Sequence, residues 1–92
     1  MNITIHYLSQ IKQLTGKDSE EMACAEGMGL RELLAEIASD YDEKLSLCLF
    51  EDGNKLRDSL VVLINGSVTD KEAPPLLSDG DEITLLNPVG GG

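Results

Sequence analysis

Apolar and polar positions alternate over residues 2–8, with Ile3, Ile5 and Tyr7 on one side and Asn2, Thr4 and His6 on the other. A period of two predicts a half-buried strand that carries His6, the one histidine, on its polar side. Residues 9–15 read as a short helical turn, with Ile11 and Leu14 three apart, and Gly16-Lys17-Asp18 breaks it. Alternation resumes over residues 20–25, with Met22 and Cys24 in phase. This predicts a second strand, paired with the first as a hairpin with a wide connection.

The strongest helical signal lies over residues 30–41. Leu30, Leu33, Leu34, Ile37, Ala38 and Tyr41 form one stripe on a 3.6-residue period, and Gly27 and Gly29 punctuate its start. Glu32, Glu36 and Asp40 fall on the opposite side and read as a solvated face. Residues 42–50 are mixed, since Leu45, Leu47 and Leu49 alternate while Leu45 and Leu49 also suit a helix. A helical extension ending in a short strand near residues 48–51 is expected, followed by a turn-rich loop over residues 51–55. The run Leu60-Val61-Val62-Leu63-Ile64 predicts the most buried strand of the chain. Asn65-Gly66 then reads as a two-residue hairpin turn, with a brief return over residues 67–69. Two prolines exclude Ala73-Pro74-Pro75-Leu76-Leu77 from a central strand, so this stretch bridges. Ser78-Asp79-Gly80-Asp81 is a further turn, residues 82–87 form the last strand, and Pro88 ends it. Strands and one dominant helix in this order predict a single α+β domain over residues 1–92, its main helix packed on one face of a small mixed sheet, with a flexible C-terminal tail over residues 88–92.

Composition narrows the partners. Seven Lys plus Arg stand against seventeen Asp plus Glu, a formal net charge of −10. Such a surface is repelled by nucleic acid and by anionic membranes, and it serves either solubility alone or docking to a basic protein partner. The start Met1-Asn2-Ile3-Thr4 has no basic, apolar leader pattern, and no apolar run is long enough to span a bilayer, so a cytoplasmic protein is expected. Cys24 and Cys48 have no zinc or redox spacing and sit among apolar neighbours, which predicts two buried, reduced thiols.

Candidate chemistry gathers at the end of the chain. Gly90-Gly91-Gly92 offers no side chain for packing, but a thread without Cβ atoms can enter a channel closed to other residues. The Gly92 carboxylate becomes an electrophile once it attacks the α-phosphate of ATP and forms an acyl-adenylate. No Gly-rich phosphate loop is present, so ATP and Mg²⁺ would be held by an activating partner and the chain would be its substrate. Neither a nucleophile–base pair nor a metal cluster stands out, so the chain reads as a non-enzyme that binds no metal or cofactor of its own.

The strand at Ile3-Tyr7, the helix over residues 30–41, Leu60-Val61-Val62-Leu63-Ile64-Asn65-Gly66, Leu77-Ser78-Asp79-Gly80-Asp81-Glu82-Ile83 and the ending Pro88-Val89-Gly90-Gly91-Gly92 come in a recognisable order. Together they resemble the ubiquitin-like β-grasp sulfur carriers over nearly the whole chain. The resemblance implies that an E1-like enzyme adenylates Gly92, that a persulfide donor converts it to a thiocarboxylate, and that Pro88, Val89, Gly90 and Gly91 steer the tail into an acceptor enzyme. Docking through an apolar patch on the open sheet face is implied too. Length and the segment Leu49-Phe50-Glu51-Asp52-Gly53-Asn54-Lys55-Leu56-Arg57-Asp58 resemble the molybdopterin branch, in which the chain would be the small subunit of molybdopterin synthase and the large subunit its acceptor. Asn87, where that branch has proline, and the Val-Gly-Gly-Gly ending look more like the thiamine carrier. Carriers for thiamine, cysteine or tungsten-cofactor synthesis, and a ubiquitin-like modifier joined to target lysines, are the alternatives.

Overall fold

The computed structural model describes residues 1–52 and 55–87; the expected flexible tail, residues 88–92, lies outside the described residues. β1 (Asn2–Tyr7) carries Ile3, Ile5 and Tyr7 fully buried, as its alternation predicts. α1 (Ser9–Thr15) follows and ends on Gly16, whose φ of 74° turns the chain toward β2 (Ser19–Ala23). α2 (Leu30–Ser39) starts at Gly29, where the Glu32 carboxylate reaches back and accepts the Gly29 N–H at 3.2 Å. Its stripe of Leu30, Leu33, Leu34, Ile37 and Ala38 is buried, and Tyr41 packs against the same core.

The expected extension of α2 is instead a separate helix, α3 (Glu43–Leu49). Asp42 leaves the helical basin at φ −75°, ψ 174° and its carboxylate accepts the Lys44 N–H at 2.9 Å, so the side chain starts a new helix where the backbone breaks the old one. β3 (Phe50–Glu51) is the short strand expected near residues 48–51, and it pairs with β4 (Lys55–Leu56), which begins where the turn-rich loop was expected to end. β5 (Val61–Ile64) turns through Asn65 (φ 51°) and Gly66 (φ 86°) into β6 (Ser67–Val68), and β7 (Glu82–Leu86) ends the fold. Two consecutive positive φ values match the twist of a two-residue hairpin and explain the Asn-Gly pair.

The main sheet has the order β2-β1-β7-β5-β6. β1 and β7 are parallel at its centre, and the other pairings are antiparallel. Inward side chains of β1, β5 and β7 join the helices in one aliphatic core, which is the β-grasp arrangement. Among the described residues the helical layer contains three helices, where the sequence shows one dominant one.

Two burial expectations change. β5 is not buried on both faces: Val62 is buried, whereas Val61, Leu63 and Ile64 are half-buried. The helices cover one side of the sheet only, so the outward half of this apolar run meets solvent. Cys24 is buried as expected, but Cys48 is half-exposed, because α3 turns its buried stripe on Leu45 and Leu49.

Candidate functional site

The tail is rooted in the centre of the sheet. β7 bonds β1 from Thr4↔Glu82 to Tyr7↔Leu85 and β5 from Val61↔Leu86 to Ile64↔Ile83, and beyond β1 the Leu8 N–H donates to the Leu85 carbonyl at 3.0 Å. A strand laddered on both edges cannot shift without breaking both sheets of bonds, so residue 87 has a fixed position and direction. Asn87 Nδ2 donates to Gln10 Oε1 at 3.2 Å. Ser9, at φ 56°, bends the chain sharply between β1 and α1, and Gln10 follows it onto Asn87. A non-glycine residue in this region costs about 1–2 kcal/mol, which the packing of α1 offsets. The Asn87 Oδ1 is buried and has no hydrogen-bond partner among the described residues.

Alternation places Leu86, Val61, Leu63 and Val68 on the open face beside this root, since Val61 is opposite Leu86 and Leu63 is opposite both Thr84 and Val68. Val68 is 74% exposed. At the far end of the face a shallow depression of about 390 Å³ is lined by His6, Asn65, Gly66, Glu82 and Thr84. His6 is a surface strand residue as expected, with its Nε2 lying 2.7 Å from Glu82 Oε1. The resemblance implies an apolar patch but does not say which residues form it. Its sequence signal is the outward half of the β5 run, hidden because a continuous apolar stretch reads as doubly buried.

Every site residue named from the sequence, Pro88, Val89, Gly90, Gly91 and Gly92, lies outside the described residues. The described part supplies their base and, beside it, an exposed apolar face. Burial, then the nearby Glu36 charge, pushes the Cys24 thiol above its ordinary pKa, the opposite of an activated nucleophile. Among the described residues no three His, Cys, Asp or Glu side chains gather to hold a metal ion, and no helix is long and apolar enough to cross a membrane.

Comparisons with known proteins agree with that geometry. No curated protein matches the chain significantly in sequence. Among solved structures, SAMP1 from Haloferax volcanii superposes with a TM-score of 0.85 at 21% identity, covering 100% of both chains. A putative molybdopterin converting factor, subunit 1, from Pyrococcus furiosus gives a TM-score of 0.74 at 28% identity, covering 96% of this chain and 98% of its own. The Amycolatopsis orientalis BexX/CysO complex contains a chain with a TM-score of 0.71 at 22% identity, covering 98% and 99%. A model of the ThiS family matches residues 5–92. The chain therefore belongs to the ThiS family, small ubiquitin-like sulfur carriers that are not enzymes themselves.

Proposed function

We propose that this chain carries sulfur as a thiocarboxylate on Gly92 for molybdopterin synthesis, as the small subunit of molybdopterin synthase. The observation that carries the reading is a glycine tail that follows directly on the central strand of a ThiS-family domain. The 28% identity to a putative molybdopterin converting factor subunit favours the molybdopterin branch.

In this reading an E1-like partner holds ATP and Mg²⁺, and the Gly92 carboxylate displaces pyrophosphate to form the acyl-adenylate. A donor's persulfide sulfur attacks the acyl carbon and AMP leaves. A thiol cleaves the resulting S–S bond, giving a disulfide and the free thiocarboxylate. The large synthase subunit then receives the tail through its Pro88, Val89, Gly90 and Gly91 backbone, while the patch of Val61, Leu63, Val68 and Leu86 docks the domain. The reaction takes place in the cytoplasm.

Intact-mass measurement after incubation with ATP, an E1-like enzyme and a persulfide donor should show one oxygen replaced by sulfur. The loaded chain should then convert precursor to dithiolene with the large synthase subunit. Loading without that transfer would move the assignment to a thiamine or cysteine acceptor, and absence of loading with every partner would sink the carrier reading. A second reading, a modifier joined through Gly92 to target lysines, is favoured by the fold match to SAMP1. It predicts higher-mass conjugates in lysate that disappear when Gly92 is deleted.

A further inference from the structure

The two edges of the main sheet differ. β6 offers two residues, whereas β2 offers five in an unbroken register with β1. The ladder fixes which β2 groups remain open. Cys24 N–H donates to the Met1 carbonyl at 2.7 Å, and Tyr7 N–H donates to the Asp18 carbonyl at 2.8 Å. Antiparallel pairs alternate between bonded and non-bonded, so Glu20 and Met22 point their backbone groups at β1. The N–H and C=O of Ser19, Glu21 and Ala23 then point outward, and no hydrogen bond reaches them among the described residues. All three residues are exposed, and no proline or lysine blocks the strand.

Charge selects what can pair there. Asp18, Glu21 and Glu26 are exposed along this edge. Its cations are already engaged: Lys17 with Glu20 at 2.9 Å, Lys12 with Asp18 at 2.6 Å and the N-terminus with Glu26 at 3.8 Å. Glu21 has no cation within reach among the described residues. Like charge repels a second copy of the same edge, and a neutral strand gains nothing from the carboxylates. We propose that the β2 edge is a second docking site, which takes an extended lysine- or arginine-rich segment of a partner protein as an added strand. Only β1 separates β2 from β7, so the edge lies two strand spacings, about 10 Å, from the tail's own strand. A partner that holds the tail can therefore use both.

The test uses the full chain labelled with ¹⁵N and an amidated ten-residue peptide of alternating lysine and valine. The peptide should slow amide exchange at Ser19, Glu21 and Ala23 together. Ala23→Pro removes one outward donor without touching the β1 ladder, as an edge strand tolerates, and should weaken the peptide by about five-fold or more. A peptide with glutamate in place of lysine should not bind. Shifts spread over the whole acidic surface with unchanged exchange at the three amides would overturn the proposal, as would equal binding of the glutamate peptide. The exchange measurement needs no variant, so it decides the matter even if Ala23→Pro fails to fold. None of these readouts involves Gly92, so they stand apart from the carrier reading.

Discussion

Glu20 is the polar centre of the fold. Its carboxylate accepts from the Tyr7 hydroxyl, from the Tyr41 hydroxyl at 3.2 Å and from Lys17 Nζ at 2.9 Å, tying β1, β2 and the segment between α2 and α3 together. Burial pushes its pKa up, but these hydrogen bonds and the Lys17 charge outweigh burial and hold it below the ordinary carboxylate value. Burial first, and then Glu20, pushes the Tyr7 hydroxyl far above its ordinary value, so it remains a donor. A folded pKa below the unfolded one stabilises above the unfolded value and is lost as pH falls through the folded value. Glu20→Gln should therefore cost about 1–3 kcal/mol near neutral pH, and the gap to wild type should narrow as pH falls through and below the ordinary carboxylate range. Urea unfolding at several pH values reads it, and a gap that widens on acidification would contradict the assignment. Lys71 plays a comparable part, donating to the carbonyls of Arg57, Asp58 and Leu60. Neither role is legible in sequence. Glu20 reads as one more position of an alternating strand, and Tyr41 and Lys71 find their partners only once the chain has closed.

At the scale of elements, legibility follows how completely one face is buried. β1 and α2 stand out because each sets a fully buried stripe against a wet one, and their periods of 2 and 3.6 survive in the sequence. β5 misleads because its outward residues are apolar as well. α3 is read as an extension of α2 because no glycine or proline marks the break; the Asp42 side chain makes it. Asp42→Ala should then cost about 1 kcal/mol, read as a lower urea midpoint with an unchanged slope. Gly66→Ala, at φ 86° in the β5–β6 turn, should cost a similar amount, about 1 kcal/mol, although nothing stands within 4 Å of the added methyl. The penalty there is conformational and does not depend on space.

At the scale of the molecule, a net charge of −10 surrounds an apolar strip at the root of a central strand. Charge steers encounter with a basic partner, and the strip then supplies short-range affinity. The charge, the glycine ending and the order of elements are all visible in the sequence. The strip is not, because it is assembled from β5, β6 and β7 by register. Two exposed residues separate docking from folding. Val68 is 74% exposed within the strip, and Leu76 is 85% exposed after Pro74-Pro75, outside the strands that form it. Either can become aspartate with little effect on stability, within about 0.5 kcal/mol, since neither is packed. If the strip docks the carrier, Val68→Asp should weaken association with the adenylating partner by about ten-fold, and Leu76→Asp should leave it near wild type. Adding salt should slow association of all three proteins by a similar factor, because steering belongs to the whole charge and not to the strip. Equal losses in the two variants would mean that any added negative charge impairs docking, and the strip would lose its assignment.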